Sequence, residues 1–411
     1  MKYFKNTELA KLYNVSEKSV RNWIDATKQG KLGLQLAEVG ERSYIADTAK
    51  NASLIEQLVD KGKKYKNSRG YKTITPTDEF YKLFDSKAIF DIVSNLEIYR
   101  EIPLQYSYFN GGATIWNEYI QRLAVEGAPN ILLNTVQLLD LSAPYLQELL
   151  NDGSKINVID IGPGNCYPVH KLLEQLIENG RLNRYICLDI SPSMLDIAEE
   201  HVKGWFGDRI NFEGYTRDIT YERFDDLLAL DSFDKDDSVK NIVLFLGSTI
   251  SNFRDPNEPL HTIHSSMGKN DLLIYSKQLD SPRARRYFDF YTDPDDATIQ
   301  QLPPKSRFTI GLLNIDRSMY DIESFFDETD MTRLIQVRFN VALSIKFQLE
   351  GRTKFIEFKK GDALLLYRHR HQDTFQTAHQ LDSNNFELLQ LVTSKDKECV
   401  LSISKVKLAA N

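Results

Sequence analysis

Between Ile156 and Leu279, strand-length apolar runs alternate with helix-like stretches, and this alternation constrains the chain more than any other feature. The runs are Ile156–Ile161, Arg184–Ile190, Ile210–Tyr215, Asn241–Gly247 and Asp271–Leu279. Nearly continuous apolar strands are buried on both faces, which a parallel sheet wrapped by helices achieves. An α/β core of Rossmann-like type is the expectation.

The first of these strands runs into Gly162-Pro163-Gly164-Asn165, with a helix expected from near Tyr167. Glycine lets the backbone approach a ligand closely at such a turn. The second strand ends in Asp189, 25 positions after Gly164, where a ribose diol would be held. Ser191 and Pro192 then open the next helix as N-cap and first residue. This order of strand, glycine turn, helix, strand, acid and capped helix points to a nucleoside-bearing cofactor. A dinucleotide site usually has a third glycine for the pyrophosphate, whereas Cys166 and Tyr167 follow Asn165 here. S-adenosylmethionine carries no phosphate. Asp218, just past the third strand, sits where its adenine amine would lie, although such an acid can equally be a helix cap. Asp160, Gly162, Gly164, Asn165, Asp189, Ser191 and Asp218 are therefore the candidate cofactor contacts.

With 411 residues, two or three domains are expected. The three cysteines Cys166, Cys187 and Cys399 form no CxxC pair, so no disulfide framework and no metal site is expected, and a reducing, cytoplasmic setting fits. The longest apolar runs fall far short of the roughly 20 residues of a membrane span. Residues 1–72 hold 15 Lys+Arg against 8 Asp+Glu; with a whole-chain charge of −7, a head at +7 precedes a body at −14. An anionic partner for the head alone is implied.

The head itself reads as two short helices, around 6–12 and 16–24, with Thr7 and Ser16 as N-caps and Leu9, Leu12, Val20, Trp23 and Ile24 at helical spacing. Gly30 to Tyr44 reads as a hairpin with turns at Gly33 and Gly40. Through T-E-L-A, V-S, S-V-R-N-W-I and G-K-L this stretch resembles the winged helix-turn-helix head of the MerR and excisionase families. The resemblance implies DNA as partner, with Lys18, Arg21, Asn22 and Lys28 as contacts. A protein-docking module is the alternative. Lys61 to Lys72, rich in Lys, Gly and Ser, reads as a flexible linker.

Phe245-Leu-Gly-Ser-Thr-Ile-Ser-Asn252-Phe, with Asp189-Ile-Ser-Pro-Ser193, resembles the histidine-specific Nα-methyltransferases of ergothioneine biosynthesis. The similarity runs more faintly from Ile102 to the C-terminus, through Gln105-Tyr-Ser-Tyr108, Gly112 and a last strand pair, Phe386–Thr393 and Cys399–Val406. It implies a seven-stranded methyltransferase core (128–280 and 367–411) and a second α+β substrate domain (75–127 and 281–366), after a head at 1–60 and a linker at 61–74. The strand-like runs Thr332–Leu349 and Thr353–Leu366 suit that insertion. Residue by residue, the resemblance assigns substrate orientation to Asn252, a place near the cofactor to Tyr108 and Gly247, and the substrate carboxylate to Tyr291, with Tyr287 competing.

One departure bears on the substrate. Family members that bind histidine carry a glutamate and a serine, two apart, on the strand leading back into the core; Tyr367 and His369 stand there instead. In strand geometry Tyr367, His369 and His371 share a face, and Arg368 and Arg370 the other. The expected activity is methylation of the amino group of an amino acid or small amine other than histidine, at a site with Tyr367, His369 and Asn252 as substrate contacts. A transcription regulator that senses S-adenosylmethionine or a metabolite is the alternative the head suggests. A nucleic-acid methyltransferase fits less well, because the body is acidic and lacks a base-flipping motif.

Overall fold

The computed structural model describes residues 2–40, 42–67, 70–126, 130–228, 239–286 and 301–407. They form two compact units: residues up to Thr73 with Ala342–Ser344, and Ile74–Val341 with Ile345–Asn411.

The first unit contains β1 (Tyr3–Phe4), α1 (Asn6–Leu12), α2 (Glu17–Lys28), β2 (Leu36–Val39), β3 (Arg42–Ala46) and α3 (Ala49–Asn67). Ser16 caps α2 by accepting the Ser19 N–H at 3.1 Å. Helix α1 begins two residues earlier than a cap at Thr7 implies: Lys5 occupies the cap position, and its N–H is accepted by the Glu8 carboxylate at 2.9 Å. Leu9, Val20, Ile24, Leu34, Ile45 and Ile55 make a small core, whereas Leu12 is 63 % exposed. The hairpin β2–β3 turns at Gly40, in the left-handed region at φ +63°. The buried Asn51 amide accepts from Gln35 N–H and donates to the carbonyls of Gln35 and Ala46, tying α3 to the hairpin. Helix α3 continues to Asn67, through much of the stretch whose composition predicts a linker. Lysine is a good helix former, so a helix anchored at Ile55 propagates into a charged run more readily than charge content alone suggests.

The second unit opens with β4 (Lys72–Ile74) at its boundary, followed by α4 (Asp78–Leu83), α5 (Ser86–Ile98), α6 (Gly111–Glu126) and α7 (Ile131–Leu149). The expected alternation follows: β5 (Lys155–Ile161), α8 (His170–Glu178), β6 (Leu182–Asp189), α9 (Pro192–Phe206), β7 (Phe212–Thr216), α10 (Asp225–Leu228), β8 (Val239–Phe245), α11 (Asn257–Ser266) and β9 (Leu272–Gln278). Then come α12 (Pro282–Arg286), α13 (Pro304–Leu312), β10 (Tyr320–Asp327), β11 (Thr332–Phe339), β12 (Leu343–Leu349), β13 (Arg352–Phe358) and β14 (Ala363–Arg370). Helix α14 (Thr374–Ser383) precedes β15 (Phe386–Thr393) and β16 (Cys399–Val406).

Seven strands form one sheet in the order β15-β16-β9-β8-β5-β6-β7. Strands β5 to β9 are parallel, and β16 and β15 close the edge antiparallel. Successive residues feed opposite cores. Val158, Ile242, Leu244 and Ile274 meet α7, α8 and α9 on one face, while Ile159, Val243, Leu273 and Tyr275 meet α11 and α14 on the other. At about 1.5–3 kcal/mol for each fully buried large aliphatic or aromatic side chain, this two-faced burial holds the sheet together.

A second sheet, β10-β11-β14, is antiparallel. The run from Thr332 to Leu349 proves to be two strands, broken at residues 340–342. The Tyr367 and His369 rings of β14 and that of His371, just past its end, follow one another along one face, at centroid spacings of 6.4 and 5.0 Å, while Arg368 and Arg370 line a separate cleft on the other. None of the helices among the described residues is long and apolar enough to cross a membrane.

Candidate active site

A cavity lies at the carboxyl ends of β5, β6 and β8, where parallel α/β sheets present their ligand sites. The chain turns there because the residues after β5 adopt left-handed backbone: Gly162 at φ +63°, Gly164 at +58° and Cys166 at +60°. Gly164 has a second reason to be glycine. A Cβ built on it would lie 2.4 Å from the Trp116 indole. The turn after β8 repeats the device, with Gly247 at φ +78° and Ser248 at +68° leading into a 3₁₀ turn at Thr249–Asn252 that brings Asn252 to the cavity.

Asp160, Gly162, Gly164, Asn165, Asp189, Asp218 and Gly247 all line this cavity. Burial pushes the Asp160 carboxyl up to about 7, against the Tyr185 hydroxyl that donates to it at 2.8 Å. Burial likewise pushes Asp189 up to about 7, although the Ser191 N–H donates to it at 2.8 Å. Asp218 is raised by burial too, and one of its oxygens accepts both the N–H and the hydroxyl of Thr220. It is therefore a turn cap and a cavity residue at once. Asn165 is braced by Asn117 at 3.2 Å and accepts the Tyr167 N–H.

Ser191 is not a cavity residue. Fully buried, it caps α9, and its hydroxyl donates to the Tyr108 carbonyl at 2.7 Å. A cap must turn its oxygen inward to the helix N–H groups, so it cannot also face the cavity. Its effect on the site is indirect, through the segment that carries Tyr108.

The donor set tests the cofactor. Three carboxylates at strand ends, none in an ion pair among the described residues, would repel a pyrophosphate and accept hydrogen bonds from an ammonium, a ribose diol and an adenine amine. Those are the donors of S-adenosylmethionine, so the residues present fit it.

The other end of the cavity is assembled from distant segments. Tyr108, Asn252, Gln278, Lys305, Tyr367 and His369 meet there. His369 Nδ1 is 3.3 Å from Asn252 Oδ1. Lys305, on α13 and 5 % exposed, donates to the Tyr108 hydroxyl at 3.0 Å and lies over its ring. Sequence reasoning missed Lys305, Gln278 and Trp116, because each lies in a segment with no motif of its own. Tyr291 and Tyr287 lie outside the described residues. Behind the wall, Glu101 accepts from Arg254 at 2.9 Å and from Arg368 at 2.8 Å, linking the Asn252 turn to β14.

The family of histidine-specific, SAM-dependent methyltransferases matches residues 91–406, most of the chain and all of this cavity. The chain belongs to that family. No curated protein matches it. Among solved structures it is similar to magnesium protoporphyrin IX methyltransferase from Synechocystis with bound S-adenosylhomocysteine, at 12% identity over 74% of this chain and 98% of that one, with a TM-score of 0.39. It is also similar to an S-adenosylmethionine-dependent methyltransferase from Clostridium acetobutylicum, at 11% identity over 79% and 100%, with a TM-score of 0.31. As a member of the family, the protein is a methyltransferase that uses S-adenosylmethionine. The match spans the ends of β5 and β6, the Asn252 turn and β14 alike.

Proposed function

We propose that the protein methylates the amino group of an amino acid or related small amine other than histidine, with Asn252, Tyr108, Tyr367 and His369 forming the substrate end of the cavity. Bound S-adenosylmethionine supplies an electrophilic methyl group. The chain's own residues have then to orient a nitrogen lone pair and exclude water, because an in-line transfer to an amine needs positioning more than a covalent nucleophile. The observation that carries the reading is the wall formed by Tyr367 and His369. The only carboxylates among the described residues lining the cavity are Asp160 and Asp189 on β5 and β6 and Asp218 in the turn after β7. An imidazole N–H thus meets no acid where histidine-binding relatives present one, and a buried polar group without a partner is strongly disfavoured.

Cofactor contacts fall to Asp160, Gly162, Gly164, Asn165, Asp189, Asp218 and Gly247, and Tyr291 retains the substrate-carboxylate role that its resemblance implies. The head supports a DNA reading in one respect: Lys18, Arg21, Asn22 and Lys28 are all exposed on or beside α2. The test is a mass-spectrometric screen of the common amino acids and their decarboxylated amines with S-adenosylmethionine. Methylated products other than methylhistidines are expected. Efficient methylation of histidine would overturn the substrate reading, and no transfer to any amine would overturn the class.

A further inference from the structure

His369 and Asn252 stand side by side at the substrate end, and the two nitrogens of the imidazole have opposite surroundings. Nδ1 faces Asn252 Oδ1 at 3.3 Å. Nε2 is buried and has no hydrogen-bond partner among the described residues. The ring is 8 % exposed, nearly parallel to Tyr367 on one side and edge-on to His371 on the other. Burial, followed by the nearby His371 and Lys277, holds its pKa well below the ordinary histidine value, so the ring is neutral at pH 7 and carries one N–H.

Only one placement of that proton leaves no buried donor without an acceptor. A proton on Nε2 creates a buried donor with no acceptor. It also forces Nδ1, now a lone pair, either against the amide oxygen or onto a reversed amide. A proton on Nδ1 gives Asn252 Oδ1 its donor and leaves only an unused acceptor at Nε2, the less costly orphan. With Oδ1 so engaged and Asn252 still partly exposed to the cavity, the amide nitrogen is the atom left to meet a ligand.

We infer that His369 is a positioning residue: its Nδ1–H fixes the Asn252 amide so that the amide nitrogen donates into the cavity, to a carboxylate or carbonyl oxygen of the substrate rather than to its reacting nitrogen. The consequence for amine methylation, which rests on the function proposed above, is chemical. An acceptor aimed at the substrate amine stabilises its ammonium form, which has no lone pair to attack with. A donor aimed at a neighbouring oxygen orients the molecule without holding that proton. His369 then acts through Asn252, and Tyr367 is left as the direct contact on this wall.

Two measurements on the full chain test this. Long-range ¹H–¹⁵N spectra of protein labelled with ¹⁵N-histidine report the tautomer of each of its seven histidines, and the His369 signals are those lost in His369→Asn. A neutral ring protonated at Nδ1 is expected; protonation at Nε2, or an imidazolium at pH 7, overturns the inference whatever the substrate. The second measurement compares Asn252→Asp with Asn252→Ala on the amino acid methylated best in the panel. Aspartate keeps the shape but removes the donor, so its KM should rise by about tenfold more than that of the alanine variant. His369→Asn, whose amide can replace the Nδ1–H, should recover much of what His369→Leu loses. An aspartate variant that binds better than the alanine variant would mean that Asn252 presents an acceptor, and the inference falls. If the wild-type protein methylates no amine, the proposed function falls, while the spectra still decide the role of His369.

Discussion

The two ends of the cavity are built in different ways. The end proposed for the cofactor is made of successive strand-to-helix turns, in which each acid sits at or just past the end of its own strand and each glycine at a bend that demands left-handed backbone. The substrate end draws one residue each from the 3₁₀ turn at 104–108, the turn after β8, the end of β9 and α13, and two from β14. A site built from local turns keeps its geometry as long as the sheet is intact. A site built from separate segments depends on how those segments dock, here through Lys305 on Tyr108 and Glu101 between Arg254 and Arg368.

The sharpest way to break the comparison is at Gly164. Replacement by alanine drives a methyl into Trp116 and strains a left-handed residue, so cofactor binding by calorimetry should be lost and stability should fall by about 2–4 kcal/mol. Trp116→Ala in the same chain should restore part of both; an unchanged Gly164→Ala protein would show that the turn is not under this constraint. At the other end, Asn252→Ala should lower kcat/KM on an amino acid by about a hundredfold with cofactor affinity unchanged, since hydrogen bonds to charged groups are worth about 1.5–3 kcal/mol. A parallel loss of cofactor affinity would mean that the two ends are not separable.

Asp189→Asn should weaken binding of S-adenosylmethionine by about tenfold or more, through loss of a charged acceptor. The same carboxyl makes binding pH-dependent. In the ligand-free protein it holds its proton up to about 7, whereas the bound ribose needs the carboxylate. Affinity should therefore fall as pH drops below about 7, with a slope approaching tenfold per pH unit. The ligand-free protein should show the opposite trend in thermal stability. An acid raised from about 4 to about 7 on folding keeps a proton that the unfolded chain has lost, so Asp160 and Asp189 both cost stability as pH rises through that window. A flat stability profile from pH 4 to 7 would contradict the raised carboxyls at these two positions.

Smaller effects sharpen the substrate end. Tyr367→Glu combined with His369→Ser should shift relative preference toward histidine by about tenfold, read as a ratio of kcat/KM values. An unchanged ratio would place the discriminating residues elsewhere. Deleting residues 1–72 should change methyl transfer by no more than about twofold, because every described residue lining the cavity lies in the second compact unit. Loss of activity in a folded truncation would assign the head a part in the site.

Most of the residues at the strand-end side of the cavity could be read from sequence because the pattern that carries them is local. A strand, a glycine turn and a terminal acid are neighbours along the chain, and glycine, proline and serine have their conformational effects whatever surrounds them. Asn252 entered only through the family resemblance of a continuous motif after a strand, and the turn after β8 does bring it to the cavity. Ser191 was legible as a cap but not as a support for Tyr108, which lies 83 residues away. The helical run to Asn67 was hidden because charge content resembles linker composition, while the anchoring contact at Ile55 is tertiary. Lys305 and Trp116 carry no pattern that separates them from any other lysine or tryptophan. What makes them cavity residues is the docking of α13 and α6 against the sheet's carboxyl edge, and the partner that His369 takes is likewise decided only when β14 meets the turn after β8. Local backbone preference and apolar period therefore determined the sheet and its glycine turns, whereas burial, which depends on every segment at once, decided which polar side chains face one another across the cavity.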